Sequence, residues 1–232
     1  MIKSWLFAAF LLATSLASFS HANEAALKND PALIISSVDV SEIETIAIPK
    51  FEQPNAPANP INEIAIMIDS LLAIGKKIWP IIEAGRPVIT NRLSPSLSIL
   101  PHLEGEAPVL NQMENWSIPK AKSFRVSFKN GFGNEVVGFT YTIFFQFNGD
   151  LNGVGKYVTS LKVQASEIYT AWGFNFDAVS ELLSIANVGT KREPVASGII
   201  QVGYIVKGML NETRSAQSFY VDGNGTIQIL NN

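Results

Sequence analysis

From Ser123 onward, apolar and polar residues alternate with a period of two, the pattern of strands that bury one face. Phe124, Val126 and Phe128 open the series. Val137, Phe139, Tyr141, Ile143, Phe145 and Phe147 continue it, interleaved with Gly138, Thr140, Thr142, Phe144 and Gln146. Tyr157, Leu161 and Val163 mark the next strand, which Ile168, Trp172, Phe174 and Phe176 prolong. Val179, Leu183 and Ile185 follow, then Ile200, Val202, Tyr204 and Val206, and a last hairpin pairs Phe219 and Val221 with Ile227 and Ile229. Turn chemistry separates these runs: Asn130-Gly131, Asn148-Gly149-Asp150 with Asn152-Gly153, and Asp222-Gly223-Asn224-Gly225. The pattern predicts a mainly β fold, an antiparallel β-sandwich of seven or eight strands over residues 105–232.

Upstream, the period reads as 3.6. Asn59 can cap a helix with Pro60 at its first position, and Gly85 and Pro87 can stop it. At 100° per residue, Ile64, Met67, Ile68, Leu71, Leu72, Ile74, Ile78, Trp79, Ile81 and Ile82 share one half of the wheel, and Asn62, Asp69, Ser70, Lys76, Lys77 and Glu83 the other. The reading is therefore one long amphipathic helix over 60–84, kinked at Pro80 and packed on the sheet, with a connecting loop to residue 104.

The first 22 residues have a different logic. Lys3 precedes an apolar run from Trp5 to Leu16 that closes on Ser20-His21-Ala22, the layout of a secretory signal peptide. The run is shorter than the roughly 20 residues a helix needs to cross a bilayer. Export to the periplasm or the extracellular space is expected, with cleavage after Ala22. Residues 23–59 read as an extended segment ending in a stiff linker, with Pro49, Pro54, Pro57 and Pro60 in close succession. A membrane β-barrel is the competing β architecture. It asks for uniformly apolar outer faces and aromatic girdles, and the chain ends Leu230-Asn231-Asn232 without an aromatic terminus.

Charge and cysteine content narrow the function classes. Removing residues 1–22 deletes Lys3 and moves the formal net charge from −3 to −4. Such a balance offers nucleic acid no clustered basic face. The absence of cysteine suits a bacterial envelope better than a disulfide-stapled secreted domain. Three sequons, at Asn115, Asn211 and Asn224, occur at the frequency chance allows.

Candidate chemistry is sparse. His102 stands near Glu104 and Glu106 but has no second histidine or cysteine partner in the mature chain, and no Gly-x-Ser-x-Gly elbow accompanies it. Residues 148–153 and 222–225 have alternating oxygen ligands but lack the bidentate glutamate that completes a calcium loop. Carboxylate-only hydrolysis needs its pair brought together in space, which spacing does not test. No catalytic residue, cofactor or metal is expected.

Surface features carry the functional expectations. Phe144, Tyr169, Ile199 and Ile205 lie opposite the predicted core and need cover, which the apolar half of the 60–84 helix can supply. Tyr169, Trp172 and the Lys191-Arg192 loop form the candidate contact surface, since Tyr and Trp are enriched where binding energy concentrates. Ile78, Trp79 and Ile82 form a packing face, or a membrane face if the helix is interfacial. The expected function is a non-enzymatic binding or interaction module recognising a protein, glycan or envelope component. The alternative is a membrane-interacting or pore-forming protein that uses the helix.

Overall fold

Alternation becomes two antiparallel sheets in a computed structural model that describes residues 30–45, 66–68, 70–75, 77–88, 96–103 and 110–230. The expected leader and the proline-rich stretch lie outside the described residues. In chain order the strands are β1 Ile35–Ile43, β2 Ile66–Ile68, β3 Leu71–Ile74, β4 Ile78–Glu83, β5 Arg86–Pro87, β6 Leu97–Pro101, β7 Lys120–Asn130, β8 Glu135–Leu151, β9 Val154–Thr170, β10 Asn175–Asn187, β11 Ala196–Lys207, β12 Glu212–Asp222 and β13 Ile227–Leu230. The first sheet runs β1-β7-β8-β9-β6-β3-β2 and the second β13-β12-β11-β10-β4-β5.

Facing side chains of the two sheets make one core. Phe124, Phe128, Phe139 and Tyr141 on the seven-stranded sheet meet Phe176, Tyr204 and Phe219 on the six-stranded one. Phe124 lies 4.8 Å from Phe219 between ring centroids, and Phe139 lies 5.2 Å from Phe176 and 5.6 Å from Tyr204. These offset and edge-on geometries are the ones aromatic quadrupoles favour.

The long helix is the main correction. Among the described residues there is no α-helix, and the described part of 60–84 is strand: β2 and β3 form a hairpin ladder, and β4 pairs with β10. The wheel and cap signals point to a helix, but an isoleucine-rich apolar run is equally compatible with a buried strand. What decides it is placement between partners. β3 pairs with β6, and Gly75 turns the chain at φ +139, where an added Cβ would lie 2.8 Å from the carbonyl oxygen of Ser96. Pro80 kinks nothing. β5 reaches only Ile82 and Glu83, so Pro80 sits where β4 has a described neighbour, β10, on one side, the place where a strand tolerates proline.

The expected boundary at residue 105 does not separate structural layers either. β1 pairs along β7, and β2 to β6 extend both sheets, so segments before residue 105 enlarge the sandwich beyond the expected seven or eight strands. One predicted strand also divides. The run through Trp172 and Phe174 turns at Ala171, whose carbonyl accepts a hydrogen bond from the Phe174 amide at 3.2 Å, and β10 starts afresh at Asn175. A register shift between Leu182 and Ser184 then changes the parity of β10. Phe176, Ala178, Leu182 and Ile185 point inward, whereas Val179 and Leu183, read from sequence as core, are exposed.

Because neighbouring strand residues point to opposite faces, Ile78 is 55% exposed while Trp79 beside it is 4% exposed. Trp79→Ala should therefore cost about 3 kcal/mol, and Ile78→Ala should stay within about 0.5 kcal/mol. Urea unfolding of the two variants checks this, and equal costs would contradict the strand.

Candidate functional site

Antiparallel connection gathers the turns at two ends of the sandwich. One end holds residues 131–134 between β7 and β8, 171–174 between β9 and β10, 208–211 between β11 and β12, and the two-residue turn Ala84-Gly85 between β4 and β5. Ala84 and Gly85 both have positive φ, at 49° and 72°, as a hairpin turn matched to strand twist requires. A single 3₁₀ turn, Pro31–Leu33, crosses this end and ties it together. Gly131 donates to the Pro31 carbonyl at 2.8 Å, and an added Cβ on Gly131 would lie 2.7 Å from the Pro31 ring. Gly208 lies against the Leu33 carbonyl, and Gly173 lies against Met209.

Three of these turns each present one large apolar side chain to solvent. Trp172 is 85% exposed, Phe132 66% and Met209 54%. Tyr169, near the end of β9, is exposed one step back from the tip and points away from the core. None of residues 31–33, 131–134, 171–174 and 208–211 carries a charge. Behind the tips Lys129 pairs with Asp39 at 2.7 Å, Arg125 with Glu135 at 2.6 Å and Arg214 with Glu212 at 2.8 Å, while Lys207 before the 208–211 turn and Glu83 and Arg86 beside Ala84-Gly85 are exposed. Asp39 also holds the Lys129 ammonium above its ordinary pKa through a hydrogen bond.

Side-chain amides bind backbone at this end, while Asn134 stands exposed. Asn130 Oδ1 accepts from the Phe132 and Asn134 amides, and its Nδ2 donates to the Ala32 carbonyl. Asn211 imitates a strand partner of Ile35, accepting from its amide and donating to its carbonyl, both at 3.1 Å. Asn175 Oδ1 accepts from the Phe176 amide. The side chains that staple the turns are polar, and three of those offered to solvent, Phe132, Trp172 and Met209, are large and apolar.

The opposite end has the reverse character. Lys191 and Arg192 stand exposed on the β10–β11 loop beside Glu193. The loop is closed by Asn187 Oδ1, which accepts from the Gly189 and Val195 amides. The 13 residues of β10, at about 3.3 Å each, place this loop about 40 Å from Trp172. Tyr169 and Trp172 thus share an end, and Lys191 and Arg192 do not join them. Trp79 and Ile82 are buried in the core and Ile78 lies on the outer face of the six-stranded sheet. Phe132 and Met209 were not singled out from the sequence; the available signal was an uncharged Gly-Phe-Gly or Gly-Met turn between strands.

The other candidates are absorbed structurally. The His102 amide donates to the Ser70 carbonyl at 2.7 Å, and the neighbouring Glu104 and Glu106 lie outside the described residues. Asp150 Oδ1 accepts from the Gly153 amide and Oδ2 from the Asn115 side chain. Asp222 Oδ1 accepts from the Asn224 and Thr226 amides, and Oδ2 from the Tyr220 hydroxyl. Among the described residues no group of three or more acidic, histidine or cysteine side chains is placed to hold a metal. Phe144 is fully buried outside the inter-sheet cluster, with the Lys162 ammonium 4.6 Å from its ring centroid. Ile199 and Ile205 are half-buried on the outer face of the second sheet. The cover expected from a helix is not what these residues have, since no helix exists among the described residues.

No family model matches the chain, and the curated proteins and solved structures offer no match to it.

Inside the core, Tyr141 Oη and Ser180 Oγ have no hydrogen-bond partner among the described residues. Burial, with Tyr204 close by, holds the Tyr141 phenol well above its ordinary value of 10.0. Above pH 10 the unfolded chain releases this proton while the folded chain keeps it, so stability falls as pH rises through that range and is insensitive to this group below it. Tyr141→Phe should add about 1 kcal/mol at neutral pH, because the desolvated hydroxyl is removed, and should flatten the alkaline decline. Circular dichroism across the alkaline range tests both, and an unchanged profile would contradict the assignment.

Proposed function

We propose that this chain is an exported, non-enzymatic interaction module of the cell envelope or extracellular space, and that its contact surface is the sandwich end around Trp172. The observation that carries the reading is a set of uncharged turns that present Phe132, Met209 and Trp172 to solvent, Trp172 85% exposed. A large exposed aromatic group in such surroundings is costly to leave in water unless something covers it. The rigid two-sheet core supports the reading, since it fixes the turns relative to one another before any partner arrives. Export is supported by the charge and apolar pattern of residues 1–22.

The membrane reading tied to a 60–84 helix loses its motivation, because the residues that were to form the inserted face belong to β4, with Trp79 and Ile82 in the core.

Co-sedimentation of the mature protein with separated envelope fractions (peptidoglycan, membranes and immobilised soluble envelope proteins) tests the proposal. Retention by one fraction, reduced at least tenfold by Trp172→Ser with Phe132→Ser and unaltered by Lys191→Ala with Arg192→Ala, is expected. No retention by any fraction, or retention lost only with the lysine and arginine, would sink it.

A further inference from the structure

Resting on the interaction-module reading, we infer that the Trp172 end docks on the interfacial zone of a lipid bilayer with electrically neutral headgroups. Three properties of that end select this partner over others.

Shape is the first. Phe132, Trp172 and Met209 stand on three separate turns, one a hairpin of the seven-stranded sheet, one the connection between the sheets and one a hairpin of the six-stranded sheet. The tips converge because Pro31–Leu33 packs against two of them and Met209 against the third. Sheets of a sandwich lie about 10 Å apart, so the three exposed side chains project from adjoining turns as a tripod. A folded protein partner needs matched concavity to bury such a tripod, whereas the boundary between headgroups and acyl chains accepts convex shapes and is about 5–10 Å deep.

Residue type and depth agree. Trp172, Phe132 and Met209 are outermost, and Tyr169 stands exposed one step back along β9. With the tripod in the acyl boundary, Tyr169 is at the headgroup level, the depth at which amphipathic aromatic rings are enriched.

Electrostatics and hydrogen bonding complete the choice. The three tips are uncharged, and the charges behind them are of both signs: Lys129, Arg125 and Arg214 are ion-paired, and exposed Lys207 and Arg86 share this end with the carboxylates of Glu83 and Asp177, so no single-sign field gathers to attract anionic lipid. A glycan would need several polar groups turned outward beside the aromatic rings, but Asn130 and Asn211 are committed to backbone groups and Asn175 Oδ1 to the Phe176 amide, which leaves Asn134 as the exposed amide of the Phe132 turn. The exposed cations Lys191 and Arg192 lie at the far end and stay in solvent when the tripod docks.

Flotation of the mature protein with vesicles of phosphatidylcholine and phosphatidylethanolamine tests the inference, with vesicles containing phosphatidylglycerol as a comparison. Trp172 is the exposed tryptophan among the described residues, Trp79 being buried and Trp116 half-buried, so its fluorescence reports docking directly. Expected are flotation with neutral vesicles that persists at high salt, a blue shift, and quenching by acyl-brominated lipid. Phe132→Ser with Trp172→Ser and Met209→Ser should reduce flotation at least tenfold. The exchanged side chains are solvent-exposed, so the far-UV spectrum should not change. Flotation confined to anionic vesicles and abolished by salt would overturn the inference, as would flotation that the triple variant keeps. Failure to float, with retention by peptidoglycan or an envelope protein still lost in the triple variant, would overturn the bilayer and leave the interaction module standing. Failure of both would overturn both.

Discussion

Packing between the two aromatic faces is the constraint on which the rest of this protein depends. Phe124, Phe139 and Tyr141 interlock with Phe176, Tyr204 and Phe219 at centroid separations of roughly 5 to 6 Å. Each ring is too large to be moved without opening a void, so the sheets cannot slide relative to each other at small cost. The turn positions at both ends inherit that rigidity. It is what holds three separate turns in fixed relation to one another.

The core also explains why the long strands bend. β9 carries non-glycine residues at positive φ, Ser160 at 55° and Glu167 at 49°, and both coincide with register shifts against β8. Bulges of this kind increase local twist and reset which side chains face inward. At the second of them Thr140 donates to the Glu167 carboxylate and Arg125 reaches the Glu167 carbonyl. The polar groups of the outer face are therefore engaged in holding the strand shape. Past that bulge Tyr169 points outward toward the Trp172 end.

Polarity divides between the ends for a chemical reason. Turns at the Lys191 end are closed by carboxylates and amides next to charged residues, as with Asp222 and Asn187. Turns at the Trp172 end are closed by asparagine, by backbone and by the Asp30 and Asp177 carboxylates, and the glycine-flanked ones leave positions for phenylalanine, tryptophan and methionine. The same folding requirement, capping a turn, is met at the two ends with different leftovers. Those leftovers are what a partner meets.

The alternation from Phe124 to Phe147 and from Ile200 to Ile229 was legible, because a period of two reports burial of one face whatever the partner strand is. The antiparallel class and several turns, such as those after Asn130 and Asp222, followed from local chemistry. Tyr169 was expected outward with Ile168 as its inward neighbour, but the alternation of Tyr157, Leu161 and Val163 continued unbroken would turn it inward, and the bulge at Glu167 is what resets it. The segment from Ile66 to Glu83 was not legible, since a continuous apolar run satisfies a helix wheel and a doubly covered strand alike, and only β6 and β10 as neighbours decide between them. Val179 and Leu183 escaped because a bulge in β10 shifts parity without a local signature. Phe132 and Met209 gained meaning only when strand order brought their turns beside Trp172. By itself, then, the sequence determined which faces repel water and where the chain reverses, because those are properties of residues a few positions apart. The tertiary structure alone decided which reversals meet, because that depends on pairings between residues far apart in the chain.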